Sequence, residues 1–118
     1  MNENPATMEF ELIKNENYTV VKVNVEKLDS LVSPILKSEL VVLNNDGIKN
    51  IILDLSDTRY CDSSGLSSIL VGNRLCKNSG GKLILSGLQD AVKKLIAISQ
   101  LDSILHISPN VEEGVEKL

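Results

Sequence analysis

The sequence is poor in the residues that bind metals, build disulfide frameworks or stack on nucleic-acid bases. Among its 118 residues are one histidine, two cysteines and no tryptophan, and aromatic residues make up only 3%. Cys61 and Cys76 are too few and too widely spaced for a disulfide framework or a CxxC metal site, so we interpret both as reduced core residues. Because His106 stands alone, we expect neither a metal nor a cofactor.

The chain also lacks positive charge, long apolar runs and a secretory signal. Its net charge is −4 and no stretch forms the basic stripe that phosphate binding requires, which argues against nucleic acid as a partner. No apolar run approaches the roughly 20 residues of a membrane span, so we expect no membrane insertion. Residues 1–7 have neither the basic nor the apolar region of a signal peptide, which predicts a cytoplasmic protein.

The chain does contain enough aliphatic residues for one buried core. Residues 1–118 have the length of a single domain, hydrophobic residues make up 42% of them, and we expect 1–7 to be a flexible tail. Hydrophobic periodicity predicts the order ββαβαβαβα. The predicted strands are 8–13, 18–25, 51–55, 82–85 and 104–107. The predicted helices are 30–43, capped by Ser30 or Ser33, then 63–76, 89–99, and 111–118 after a Ser108-Pro109 cap.

This order predicts an α/β fold with a mixed sheet of about five strands and four helices. Strand–helix–strand units give right-handed crossovers and a parallel core sheet, to which the opening hairpin adds an antiparallel strand. In such sheets functional residues lie beyond the carboxyl ends of the strands. Two predicted loops, 26–30 and 57–64, reach that end.

The second of these loops leads into the segment Asp62-Ser63-Ser64-Gly65-Leu66, at the start of a predicted helix. Asp and Ser are residue types that cap the free N–H groups of a helix. Glycine permits a close approach of the backbone to its neighbours. Taken alone, the pattern indicates a capped helix, and for Asp62 capping and contact with a partner remain equal alternatives.

In its context this segment resembles the central motif of the STAS domain family. The family is shared by bacterial anti-sigma factor antagonists and the cytosolic tails of sulfate transporters. The spacing from Leu28-Asp29 to Asp62 is similar to that of the family, although Glu26-Lys27 stands where the family commonly has Gly-Glu. The resemblance extends over the strand 51–55, Gly80-Gly81-Lys82-Leu83, Ala91-Val92-Lys93-Lys94-Leu95 and Leu101-Asp102.

The resemblance implies a phosphorylation-switched binding module and not an enzyme. It implies that the chain sequesters an anti-sigma factor of the serine-kinase type, which frees a sigma factor, and that this kinase phosphorylates Ser63. It also implies a phosphatase that acts on phospho-Ser63. The implied partner-binding residues are Asp29, Asp62, Ser63, Ser64 and Gly65. The helix dipole and the free N–H groups at the helix start would tolerate the phosphate.

Two other interpretations remain open. Ser63 or Ser64 could be the nucleophile of a hydrolase, which needs a base and an oxyanion hole. The single imidazole is His106 in a short apolar strand, which favours a structural role for it. The second interpretation is a non-phosphorylated STAS scaffold subunit in a sensory or transporter-associated complex.

Overall fold

Apolar strands build a five-stranded mixed sheet at the centre of the computed structural model, which describes residues 9–118. The predicted tail at 1–7 lies outside the described residues. The strands are β1 Phe10–Lys14, β2 Thr19–Val23, β3 Lys27–Leu28, β4 Ile51–Asp54, β5 Tyr60–Cys61, β6 Leu83–Ser86 and β7 His106–Ser108. The helices are α1 Ser33–Asn45, α2 Ser63–Asn78, α3 Asp90–Ile98 and α4 Val111–Glu116.

The large sheet has the order β1-β2-β4-β6-β7, and it confirms the predicted mixed architecture. β1 and β2 form the antiparallel hairpin, in which Leu12 lies opposite Val21. Each later neighbour pairs in parallel, as right-handed strand–helix–strand units require. β4 and β6 lie inside the sheet and are almost entirely buried, as the continuous apolar run of β4 predicts.

Helices cover the two faces of the sheet unequally. On one face the main core contains only aliphatic side chains and the two cysteines, with Leu36, Leu53 and Ile69 fully buried. The opposite face carries a smaller cluster of Val20, Ile52 and Ile84, covered by the short helix α4. The helices cover the faces of the sheet, and the connecting loops form the surface at the carboxyl end of the parallel strands.

The predicted caps of α1 and α4 are wrong. α1 begins at Ser33 and no side chain caps it, so neither Ser30 nor Ser33 has that role. The N–H groups at its start bond instead to the backbone oxygen of Asp29, which removes the need for a side-chain acceptor. α4 follows Asn110, whose side chain accepts a bond from the third residue of the helix, and not Ser108-Pro109.

The inward stripe of α1 is narrower than its periodicity predicts. The apolar positions 32, 35, 36, 40 and 43 of the sequence predict one inward face. Leu36, Leu40 and Leu43 are buried there, but Ile35 is 42% exposed. Ile35 faces the groove beside Leu12 of β1, at the edge of the sheet, where no further strand of the described chain covers it. None of the helices in residues 9–118 is long and apolar enough to cross a membrane.

The two predicted loops at the carboxyl end are partly strands. β3 and β5 form a separate two-stranded parallel sheet within segments that we expected to be irregular. Each strand has only two residues, which is too short for hydrophobic periodicity to reveal. This small sheet positions the two loops that form the candidate functional site.

Candidate functional site

The loops that follow β2 and β4 are tied into one surface. Leu28 of β3 pairs with Cys61 of β5. The buried hydroxyl of Thr58 donates to the backbone oxygen of Val25 at 2.9 Å, which fixes the base of one loop against the other. The segments 26–30 and 57–64 therefore meet at the carboxyl end of the parallel strands, where we predicted the functional end.

Gly65 brings the start of α2 against this small sheet. A β-carbon at position 65 would lie 2.5 Å from the backbone oxygen of Leu28 and 2.6 Å from the sulfur of Cys61. Both distances are far below van der Waals contact, so the observed approach requires glycine. Because Gly65 is buried, it can position the helix but offers a partner little surface.

Asp62 is the N-cap of α2. Its Oδ1 accepts the N–H groups of Ser64 and Gly65 at 3.0 Å each, and the Ser64 hydroxyl at 2.6 Å. The bond from the Ser64 hydroxyl, followed by that from the Gly65 N–H, holds the pKa of the Asp62 carboxyl below its ordinary value. Of the two alternatives for Asp62, the structure shows capping, and the lowered pKa favours the ionised side chain.

The two adjacent serines differ in what they offer to a partner. Ser63 is the first residue of α2 and is exposed. Ser64 is partly buried, and its single proton is used in the bond to Asp62. Of the two residues, Ser63 is the more exposed to solvent.

Asp29 lies in the neighbouring loop and joins the same network. Its Oδ1 accepts the N–H of Leu31 at 3.0 Å, and its backbone oxygen accepts the Ser33 hydroxyl at 2.6 Å. The Ser33 oxygen is 3.5 Å from the Ser64 oxygen. Since each hydroxyl has one proton and both are used in shorter bonds, the two oxygens face each other without a proton between them. Ser33, which sequence reasoning considered only as a cap, therefore bonds to the Asp29 loop and lies in contact with Ser64 at the start of α2.

Exposed apolar side chains flank the candidate site. Leu31 is 81% exposed and Tyr60 is 50% exposed, each beside one of the two loops. Sequence reasoning missed Leu31, although an apolar residue just before the buried stripe of a helix was a signal. A groove of about 340 Å³ between α1 and α2 is lined by Ser30, Ser33, Pro34, Lys37, Ser64, Ser67 and Ser68.

The residues that a hydrolase or a metal site would need are not brought together. His106 begins β7 at one edge of the sheet, whereas Ser63 follows β5 beyond the carboxyl end. Cys61 and Cys76 are buried free thiols, as expected, and burial raises their pKa to about 12 and about 11. Across residues 9–118, no group of three or more His, Cys, Asp or Glu side chains is placed to hold a metal ion.

Comparison with known sequences identifies relatives over most of the chain. The family model described as the STAS domain matches residues 9–114. An anti-sigma-B factor antagonist of Bacillus subtilis (strain 168) is 31% identical over 102 residues, which cover 86% of this chain and 93% of that protein. An anti-sigma-B factor antagonist of Staphylococcus aureus (strain NCTC 8325 / PS 47) is 29% identical over 106 residues, with coverage of 89% and 96%.

Solved structures show the same fold. A putative anti-sigma factor antagonist from Thermotoga maritima superposes with a TM-score of 0.82 at 25% identity, over 92% of both chains. The anti-sigma factor antagonist SpoIIAA in its unphosphorylated form gives a TM-score of 0.78 at 20% identity, over 92% of this chain and 94% of that chain. The latter similarity supports the fold alone.

Proposed function

The chain belongs to the STAS domain family, and we propose that it is an anti-sigma factor antagonist switched by phosphorylation of Ser63. In this proposal the unphosphorylated chain works in the cytoplasm, where it sequesters an anti-sigma factor of the serine-kinase type and frees a sigma factor. The kinase transfers the γ-phosphoryl group of ATP to Ser63, and a phosphatase removes it. The relatives in Bacillus and Staphylococcus, named anti-sigma-B factor antagonists, support this proposal.

The observation that carries the proposal is the contrast between Ser63 and Ser64. A kinase must place the attacking hydroxyl in line with the γ-phosphate and accept its proton. Ser63 is exposed at the first position of α2, so its hydroxyl can enter a kinase active site without unfolding of the helix. The hydroxyl of Ser64 can do so only by breaking its 2.6 Å bond to Asp62. Ser63 is therefore the favoured phosphate acceptor.

A phosphate on Ser63 would change the charge of the surface more than its shape. It adds about −1.5 to −2 charges next to the ionised Asp62. The positive end of the α2 dipole still favours an anion there. The N–H groups of Ser64 and Gly65 already bond to Asp62, so the expected tolerance of the phosphate at this helix start rests mainly on the dipole. A loss of about 4 kcal/mol of binding free energy would lower the affinity about a thousandfold.

The surface around Ser63 has the composition of a protein-binding site. Leu31 and Tyr60 offer exposed apolar area on either loop, and aromatic side chains often dominate the energy of such interfaces. Asp29 holds the Leu31 loop in place through its bond to the Leu31 N–H. We propose that Asp29, Asp62, Ser63 and Ser64 border this contact, and that Gly65 contributes by placing the helix.

The test uses a serine-kinase-type anti-sigma factor encoded by the same genome, with MgATP and mass spectrometry to locate the phosphate. We expect the phosphate on Ser63, none on Ser63→Ala, and full modification of Ser64→Ala. Ser63→Asp should weaken binding by tenfold or more, whereas Ser38→Asp, which adds the same charge at an exposed position of α1, should not. Tight binding without modification would favour the scaffold interpretation, and phosphate on Ser64 would contradict the assignment of Ser63.

A further inference from the structure

β1 is an edge strand, and within residues 9–118 only one of its two sides is paired. It pairs with β2, and no other strand among residues 9–118 pairs with its second edge. The N–H of Asn15 bonds to the oxygen of Tyr18, and the N–H of Asn24 bonds to the oxygen of Glu9, in a register that continues without a bulge between them. In an antiparallel pair every second residue bonds to its partner. The odd-numbered residues of β1 therefore bond to β2.

It follows that the backbone groups of Phe10, Leu12 and Lys14 point away from β2. Their side chains lie on the same sheet face as α1, because Leu12 and Phe10 are paired with the core residues Val21 and Val23. An open edge of this kind is a template for another strand. An unpaired strand edge with exposed apolar side chains is a feature that soluble proteins otherwise avoid or cover.

An apolar groove runs beside this edge. It has a volume of about 470 Å³ and is lined by Glu9, Phe10, Leu12, Ile35 and Glu39. Leu12 is 37% exposed and Ile35 is 42% exposed, so the groove floor is accessible. Its rim carries two carboxylates. A partner that fits it needs a free strand edge, an apolar side chain for the floor and a cation for the rim.

We propose that two copies of this chain pair along β1, antiparallel, with Leu12 opposite Leu12 on a two-fold axis perpendicular to the sheet. Residues directly opposite each other must share a face and must both point outward, which restricts the pairing to even-numbered residues. The register centred on Leu12 is the one that pairs Phe10, Leu12 and Lys14 all at once. The sheet then continues from one copy into the other.

This register also meets the chemical requirements of the groove. Leu12 of the second copy lies beside Leu12 of the first, and the two cover each other's apolar surface. Lys14 of the second copy lies opposite Phe10, about 5 Å away across the new strand pair, at the groove rim that contains Glu39. On the other sheet face Glu11 lies opposite Ile13. A second copy thus supplies the strand, the apolar side chain and the cation.

The first test measures the mass of the full chain by sedimentation equilibrium over a range of concentrations. We expect a reversible dimer. Leu12→Lys places two ammonium groups on the two-fold axis and should weaken the dimer at least tenfold. The matched control Ile13→Lys adds the same charge one residue away, but opposite Glu11, and should leave the dimer intact. A wild-type chain that stays monomeric at millimolar concentration, or a dimer insensitive to Leu12→Lys, overturns the proposal.

Two further measurements test the proposed dimer even if Leu12→Lys does not fold. Lys14→Glu and Glu39→Lys should each weaken the dimer, and the double variant should restore it, which a merely misfolded edge cannot do. Amide exchange should slow with concentration at Phe10, Leu12 and Lys14 and stay unchanged at the residues between them. If those three amides are already protected in dilute monomer, another part of the same chain covers the edge and the proposal is wrong.

Discussion

Replacement of Gly65 by alanine is the sharpest test of how the candidate site is built. The added methyl group would overlap the Leu28 carbonyl oxygen at 2.5 Å and the Cys61 sulfur at 2.6 Å. A backbone carbonyl in a strand pair cannot rotate away, so α2 or β3 must shift. Overpacking of this kind costs about 1–3 kcal/mol, and the gain in helix propensity returns at most about 1 kcal/mol. We expect a net loss of about 1–2 kcal/mol.

Gly72→Ala is the matched control on the same helix. A β-carbon there would lie 2.8 Å from Cδ1 of Leu40, the end of a side chain that can rotate. Its stability should stay within about 1 kcal/mol of the parent. Urea unfolding followed by circular dichroism measures both variants, and the loss in Gly65→Ala corresponds to about 4–8 °C in Tm. If Gly65→Ala is as stable as Gly72→Ala, the close approach of α2 to β3 is not a constraint and the reasoning fails.

Three further predictions concern single side chains. Because the pKa of Asp62 is lowered in the folded chain, its contribution to stability is present above its ordinary pKa of 3.8 and is lost as the pH falls below that value. In Asp62→Asn, the unfolding free energy should therefore fall less steeply at acid pH than in the parent chain. Burial raises the pKa of Cys61 to about 12 and that of Cys76 to about 11. Neither thiol should therefore react with a disulfide reagent at about pH 8 before the chain unfolds. The unfolding free energy should also fall as the pH rises above 9.0, because the thiols of the unfolded chain then ionise first. Gln100 has a φ of 61°, so Gln100→Gly should raise the unfolding free energy by up to about 1 kcal/mol in urea titrations, and a loss would contradict the strain.

The elements that sequence predicted well are those whose pattern is long and whose burial is simple. β4 is a run of apolar residues between polar segments, and α2 combines a capping sequence with a buried stripe of Leu66 and Ile69. The type of such an element can be predicted from its local composition and its hydrophobic period. The opening hairpin was predicted because β2 is rich in β-branched residues and places Val21 and Val23 on one face.

The details of the site were beyond sequence because they depend on contacts between distant segments. Ser63 and Ser64 are chemically identical neighbours, and only the fold shows that one hydroxyl bonds to Asp62 while the other is exposed. Thr58 was expected in a loop, yet it is buried and bonds to Val25, 33 residues away. Pairing of two-residue strands and the contact of Ser33 with Ser64 likewise need the tertiary structure.

The hydrogen bonds around Ser63 explain why a partner would detect its phosphorylation directly and not through a conformational change of this chain. The Ser64 hydroxyl donates to Asp62 and the Ser33 hydroxyl donates to the backbone oxygen of Asp29, so neither hydroxyl is free to turn toward a phosphate on Ser63. To recruit the Ser64 proton, the phosphate would have to displace the ionised Asp62, which also holds two N–H groups of α2. The shape of the surface is set separately, by the buried contact of Gly65 with β3. Phosphorylation of Ser63 would therefore add negative charge to the surface without changing its shape. The added charge would weaken binding by acting directly on the partner's contact surface.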